Sequence, residues 1–359
     1  MPTGIAKAAP WAPRPATAQA IIAPPVITQQ PQDQTIPLGE DVRFTAVVTG
    51  SRPLRYQWLF NGTNLPAATN ATLTLEKVKA TQAGLYSLRV SNLLDTVTSS
   101  NAALALLPAP GCTETPAGLI SWWPGDGNGS DTMGTNPISI YSPVTYPTGK
   151  VGQTFTFNGT SSRIQINNSA SLNFNANSNF SIEMWIKANP TNPFYANVPL
   201  FEKRTSVSIG WVGYSLSLNQ GQLAFAIGTS SALSNYISSG PDLRDALFHH
   251  VAVTVNRSAT NGGVLYVDGA PVLTFNPKPL NVSLANTSPL FIGAPTFTVS
   301  NSYFAGLIDE PAIYGRDLTA AEILAIRTAG AAGRCKTAPL MQVAMFVWLP
   351  VARYEACAK

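Results

Sequence analysis

A chain of 359 residues, 45% of them apolar, is long enough for two or three domains with real cores. Only 11% of its residues are charged, against about 25% in an average soluble domain, and the formal charge of +4 is scattered along the chain. That leaves no basic stripe of the kind nucleic acid requires. No run approaches the roughly 18 uninterrupted apolar residues of a membrane-spanning helix.

In chain order, residues 1–25 are rich in Ala and Pro and read as a leader or linker. Ala16-Thr17-Ala18-Gln19-Ala20 has the small residues of an export cleavage site, but Pro10, Pro13 and Pro15 interrupt the apolar stretch that should precede it. Residues 26–107 consist of short alternating runs. Val42, Phe44, Ala46 and Val48 form one; Leu73 and Leu75 form another; Tyr86, Leu88 and Val90 form a third. Period-two alternation of this length predicts half-buried strands, and Asn61-Gly62 predicts a tight hairpin turn. Pro108-Ala109-Pro110-Gly111 opens a linker expected over 108–117.

The β texture then resumes on a larger scale. Strands are expected at 119–123, 154–157, 180–187, 214–218, 223–227, 249–255, 264–267 and 307–314, with a second hairpin turn at Asp268-Gly269. Eight to fourteen strands over about 200 residues imply a large sandwich or jelly roll. One helix is predicted over 318–328. Thr319 and Glu322 form a capping box, Gly330 ends it, and Ile323, Leu324 and Ile326 should face inward, against one edge of the sandwich. Residues 337–359 form an irregular tail whose apolar part, 340–351, is too short to span a bilayer.

Three spaced elements of the first region resemble an immunoglobulin domain. Gly39–Phe44 is similar to its strand B, Tyr56-Gln57-Trp58 to strand C with its core Trp, and Ala83–Leu88 to the run that holds the tyrosine corner. Ala46 and Leu88 stand where the inter-sheet cysteines would be, so apolar packing must replace a cross-link worth about 2–4 kcal/mol. Gln82 stands where Asp is usual.

Residues 118–336 resemble the laminin-G-like, concanavalin-A-like jelly roll. The likeness rests on Gly118–Gly127, Phe155-Thr156-Phe157-Asn158-Gly159, Phe180–Lys187, Phe248–Thr254, Leu265–Gly269 and Phe304–Glu310, in that order. The expected fold class is therefore all-β: an immunoglobulin-like sandwich, then a larger jelly-roll sandwich with one short C-terminal helix. Cys112 and Cys335 bracket the jelly roll, whose two ends lie close, and a disulfide between them would imply an oxidising compartment. Two free thiols are the alternative; Cys357 is left over either way. The resemblance also implies a structural calcium, for which Asp126, Asp131, Asn158 and Asp309 are the best oxygen donors. Asx turns and backbone contacts would use the same groups.

Reactive chemistry is not signalled. His249 and His250 are adjacent on a strand and point to opposite faces, which predicts one packed and one exposed histidine. Asp309 and Glu310 are consecutive, and Glu183 has no acid partner two or four residues away, so no paired carboxylates of a glycosidase emerge. Aromatic side chains that could form a ligand platform are Trp123, Trp211, Phe194 and Tyr195. Of the adjacent Trp122 and Trp123, one should face inward and one outward, and Trp185 should be core. The sequence thus reads as a non-catalytic secreted or cell-surface binding protein. Its jelly roll would contact a glycan or an extracellular protein, with the first domain as spacer. An accessory fragment of a larger exported carbohydrate-active enzyme and a structural envelope protein are the alternatives.

Overall fold

The computed structural model describes residues 22–107, 111–190, 197–208, 210–297 and 302–335. Contacts divide the chain into two units, residues 1–108 and 109–359. The leader before residue 22, Cys357 and the irregular tail lie outside the described residues.

The first unit contains β1 (Val26–Gln29), β2 (Gln34–Pro37), β3 (Val42–Thr45), β4 (Val47–Thr49), β5 (Arg55–Phe60), β6 (Thr63–Asn64), β7 (Thr72–Leu75), β8 (Gly84–Ser91), β9 (Thr96–Thr98) and β10 (Ala102–Leu107). One sheet runs β2-β10-β8-β5-β6, with β9 on β8; β3 pairs with β7 and β1 with β4. Trp58 is fully buried and shares its core with Phe44, Ala46, Tyr86 and Leu88. The two cysteine-replacing positions are therefore core, as expected. The Trp58 indole donates to the Asn70 carbonyl at 2.9 Å, which removes the cost of burying an unpaired N–H. Tyr86 donates its hydroxyl to the Gln82 carbonyl at 2.7 Å, making the expected corner. The Gln82 side chain accepts the Lys79 amide at 2.8 Å, so it caps its own turn. Asn61 and Gly62 have φ of 47° and 79°, the paired left-handed residues of a type I′ hairpin.

The second unit contains β11 (Leu119–Trp122), β12 (Ile138–Ser142), β13 (Phe155–Asn158), β14 (Arg163–Ile166), β15 (Phe180–Ala188), β16 (Val198–Val207), β17 (Gly210–Asn219), β18 (Gln222–Gly228), β19 (Leu233–Ile237), β20 (His249–Val255), β21 (Gly263–Val267), β22 (Ala270–Phe275), β23 (Leu290–Ile292), β24 (Ala305–Tyr314) and the helix α1 (Ala320–Ala329). Two seven-stranded antiparallel sheets result. The first runs β11-β24-β15-β20-β21-β22, with β13 on β24; the second runs β12-β14-β23-β16-β17-β18-β19. Alternate side chains from both sheets, among them Ile182, Met184, Tyr214, Leu216, Phe225 and Val253, fill one core.

The first sheet is covered on its other face as well. Thr319 and Glu322 close the predicted capping box at the start of α1, and the helix packs on a second apolar cluster with Trp122, Ala252, Tyr266, Ala312 and Tyr314. It lies on the sheet face, where an edge position was expected. Ile323 and Ile326 are buried, but Leu324 is 51% exposed, because three nearly consecutive helical residues cannot share one narrow stripe. Trp122 and Trp123 do face opposite sides, yet neither is exposed, since the helix layer covers the outer one.

Behind the helix lies a buried ionic cluster. Arg334 pairs with Glu183 of β15, reaches Glu310 of β24 at 3.3 Å, and donates to the Tyr314 hydroxyl at 2.8 Å. Its guanidinium lies 4.5 Å from the Trp122 ring. Burial pushes the Glu183 carboxyl up, but the Arg334 charge and the His250 hydrogen bond outweigh it and hold the group below its ordinary value. Cys112 and Cys335 form the expected disulfide, which spans 223 residues. Thr113 donates to Gly333 at 3.0 Å and accepts from Cys335 at 2.8 Å. Residues 112 and 113, expected in a linker, are thus built into the second sandwich.

Reducing this bridge should lower the unfolding midpoint of the second unit alone, because the first contains no cysteine. Closing a loop this long is worth up to about 5 kcal/mol. Calorimetry with and without reductant should show one transition moving down and one fixed. Two fixed transitions would contradict the bridge.

Candidate functional site

Small side chains cut a groove into the outer face of the second sheet. Along β17 and β18, Tyr214, Leu216, Leu218, Leu223, Phe225 and Ile227 point into the core. Their alternates, Ser215, Ser217, Ala224, Ala226 and Gly228, point away from it. The flanking strands carry longer groups outward, Glu202 and Arg204 on β16 and Leu233 and Asn235 on β19. A low floor between raised sides gives a cavity of 130 Å³ lined by Glu202, Arg204, Trp211, Ser215, Ser217 and Asn235, among others.

Its polar groups are fixed by their neighbours. Glu202, only 1% exposed, accepts the Thr296 amide at 2.7 Å and the Ser215 hydroxyl at 2.9 Å. Arg204 pairs with the same carboxylate at 2.9 Å. The Arg204 guanidinium lies 4.9 Å from the Trp211 ring and 5.5 Å from Phe297, within cation–π range. Trp211 in turn rests against Gly228, where a Cβ would come within 2.3 Å of the Trp211 carbonyl oxygen and 2.7 Å of the indole. Glycine is required there for the ring to lie so close.

Glycoside hydrolysis needs two carboxylates about 5–9.5 Å apart, and Glu202 is the one acid among the described residues lining the groove. All three of its partners tie it down. A larger cavity of 570 Å³ lies beside the disulfide, walled by Pro116, Leu119, Trp122, Met133 and Cys335; among the described residues its lining carries no charged side chain.

Residues 24–92 match the immunoglobulin domain family. Residues 158–324 match the concanavalin A-like lectin/glucanases superfamily, which contains all of β16–β19. The chain is an immunoglobulin domain followed by a concanavalin A-like domain. Among solved structures, the binding domain of Paraclostridial Mosquitocidal Protein 1 is similar at 19% identity, over 58% of this chain and 51% of that one, with a TM-score of 0.49. This chain therefore spans about half the length of that one. A titin M10–obscurin-like 1 immunoglobulin complex is similar at 25% identity over 25% of this chain and 99% of the other, with a TM-score of 0.23. A chimeric titin Z1Z2 gives 24% identity over 24% and 98%, with a TM-score of 0.22.

The concanavalin A-like domain separates the residues singled out from sequence. Trp211 lines the groove. Trp123 does not; it is fully buried in the core and donates to the Asn136 carbonyl at 2.9 Å, so it is no ligand platform. Phe194 and Tyr195 lie outside the described residues. Trp185 is core, 3% exposed.

The four expected calcium donors are not one ligand set. Asp131 spends both oxygens on its own loop, accepting from the amides of Trp122, Met133, Thr135 and Asn136. The Asn158 side-chain oxygen accepts the amides of Thr160, Ser161 and Ser162. Both act as turn caps. Asp126 and Asp309 do converge on one turn, where they accept the amides of Gln153 and Val151, each at 2.9 Å. Asp309 is fully buried and its Oδ1 has no hydrogen-bond partner among the described residues. Burial, and then the adjacent Glu310 charge, push its carboxyl well above the usual range. Such an oxygen fits a proton or a cation. Among the described residues no cluster of three or more His, Cys, Asp or Glu side chains surrounds a common point, so a cation would need backbone oxygens too.

Sequence reasoning missed Glu202, Arg204, Ser215, Ser217 and Asn235. The available signal was the outward series Ser-x-Ser and Ala-x-Ala-x-Gly on neighbouring strands, which marks a trough in a sheet surface.

The two histidines face opposite sides of the sheet, but neither is exposed, since Asp245 and Asp268 enclose the outer one. His250 is buried against Glu183 at 3.0 Å. His249 is half-buried between Asp268, 2.7 Å away, and Asp245, 3.1 Å away. Burial alone would lower its pKa, but the hydrogen bonds it makes to both carboxylates outweigh that and raise it to about 9. A histidine raised on folding gives stability that is complete below its unfolded pKa of about 6.5 and is lost as pH climbs through 9. The stability advantage of wild type over His249→Asn should therefore be full at pH 6 and largely gone by pH 10. Denaturant titrations at both pH values would check it, and a pH-independent gap would refute the clamp.

Proposed function

We propose that this chain is a non-catalytic binding protein of the cell surface or extracellular space, and that its concanavalin A-like domain holds a glycan in the groove of β16–β19. The immunoglobulin domain serves as the spacer. One observation carries the reading: an aromatic wall, a small-residue floor, and hydroxyl, amide and charged groups converge on one cavity. Sugars need this mixture, because their ring faces are apolar and their hydroxyls demand both donors and acceptors. The Cys112–Cys335 bridge supports an oxidising compartment, since such bonds are rarely kept in the cytosol. The single, fully engaged carboxylate supports binding without turnover.

On a glycan array, the wild-type chain should retain a defined subset of glycans, and Trp211→Ala should weaken each at least tenfold, or about 1.4 kcal/mol. Unchanged retention by this variant would move the site elsewhere. Turnover of any retained glycan would overturn the non-catalytic reading.

The expected calcium is assigned here to Asp126 and Asp309, with Asp131 and Asn158 left out. Bound there, the ion would neutralise two carboxylates and brace the turn at residues 149–153. Calcium should then raise the unfolding midpoint of wild type over its value in chelator, and leave Asp309→Asn nearly insensitive. An equal response from both proteins would remove the assignment.

A further inference from the structure

The groove's two charged groups cancel each other, and this bears on which sugars it can take. Among the described residues Arg204 is the one cation lining it and Glu202 the one anion, and they meet at 2.9 Å. The remaining polar lining among the described residues is uncharged: Asn197, Ser215, Ser217, Asn235 and the Trp211 indole. A free guanidinium is the preferred partner of a carboxylate, which it binds through a fork of parallel N–H donors. Here one arm of that fork, Nη2, is already held against Glu202. Glu202 cannot swing away to release it, because the Thr296 amide and the Ser215 hydroxyl hold its two oxygens. Nor can the guanidinium readily turn, with Trp211 and Phe297 beside it. Its Nε–H is buried without a partner among the described residues, so the cation keeps unspent donor capacity behind the pairing. A cavity of 130 Å³ matches roughly one sugar ring, well below the 300–1,000 Å³ of drug-sized sites.

Resting on the glycan reading above, we propose that Glu202 sets the specificity of the groove: by engaging Arg204 it makes the site accept a single uncharged sugar residue and refuse uronates. An anionic sugar would meet the Glu202 carboxylate and find no free cation to compensate. Removing the negative charge while keeping the local hydrogen bonds should convert the groove to one that attracts acidic sugars. Glu202→Gln does this, since its amide oxygen can still accept the Thr296 N–H and its NH₂ can donate to Ser215. Arg204→Gln makes the opposite change and leaves a net negative groove.

The test is calorimetric titration of the full chain with two sets of tetrasaccharides: neutral ones built from glucose, galactose, mannose or N-acetylglucosamine, and their glucuronate and galacturonate counterparts. Wild type should bind at least one neutral tetrasaccharide ten times more tightly than any uronate. Glu202→Gln should shift that ratio at least tenfold toward uronates, in a salt-sensitive manner. Arg204→Gln, the second variant should the first not fold, should shift it away from them. Equal loss of both classes in a folded Glu202→Gln variant, or a wild-type preference for uronates, would overturn the specificity role while leaving glycan binding intact. Absence of binding to either set by wild type would overturn the glycan reading itself.

Discussion

The concanavalin A-like domain depends on one buried cation, Arg334. Two adjacent strands in the middle of its first sheet place Glu183 and Glu310 out of reach of water, 0% and 2% exposed. A buried carboxylate without a partner costs several kcal/mol. Arg334 meets both, and it comes from the far end of the domain, beyond α1. The charge that meets both carboxylates is thus supplied from beyond the helix that packs on the sheet. The neighbouring disulfide holds that segment in place, with Thr113 zipped to Gly333 and Cys335. Trp122 is covered by the same helix layer, which is why a tryptophan on the outside of the sandwich ends up dry.

The groove lies on the opposite sheet. Its inward residues complete the shared core, so β17 and β18 are held rigidly from below. Their outward residues are small, and Ser215, Ser217 and Ala224 are buried below the longer groups of the neighbouring strands. The groove follows from this division of labour: large side chains inside, serine, alanine and glycine outside, and longer groups on the neighbouring strands. Recognition groups placed on rigid strands keep their geometry better than groups on loops. Buried cations brace the surroundings in a similar way. Lys203, next to the site residues on β16, is fully buried and gives its ammonium protons to Asn173 and Asn286 at 2.8–3.0 Å. Burial lowers its pKa to about 8.

Much of the fold could be read from alternation and turn chemistry. Trp58 with Ala46 and Leu88, the Asn61-Gly62 hairpin, the Thr319–Glu322 box and the Cys112–Cys335 pair are local patterns or ends of a recognisable frame. What stayed hidden depends on residues distant in sequence. β16 was not anticipated, because Pro199 and the run Glu202-Lys203-Arg204 disguise it as a loop. Those charges are tolerated in a strand because Thr296, Ser215, Asn173 and Asn286 meet them, and no one-dimensional pattern reports such partners. Trp123 misled for the converse reason: which of two adjacent tryptophans turns into the core between the sheets depends on the strand's placement in the sheet, and it is Trp123 that does. The calcium donors show the same limit. Asp131 and Asn158 have the right chemistry, but the turns around them use it up.

Fluorine NMR of the full chain labelled with 5-fluorotryptophan tests the groove most directly, since it reports on all seven tryptophans at once. Trp58, Trp122, Trp123 and Trp185 are buried reporters of structure, and Trp211 alone among the described tryptophans lines the groove. Adding a neutral oligosaccharide retained on the array should move the Trp211 resonance and leave those four in place. Movement of Trp122, beside the disulfide cleft, with Trp211 unchanged would contradict the assignment.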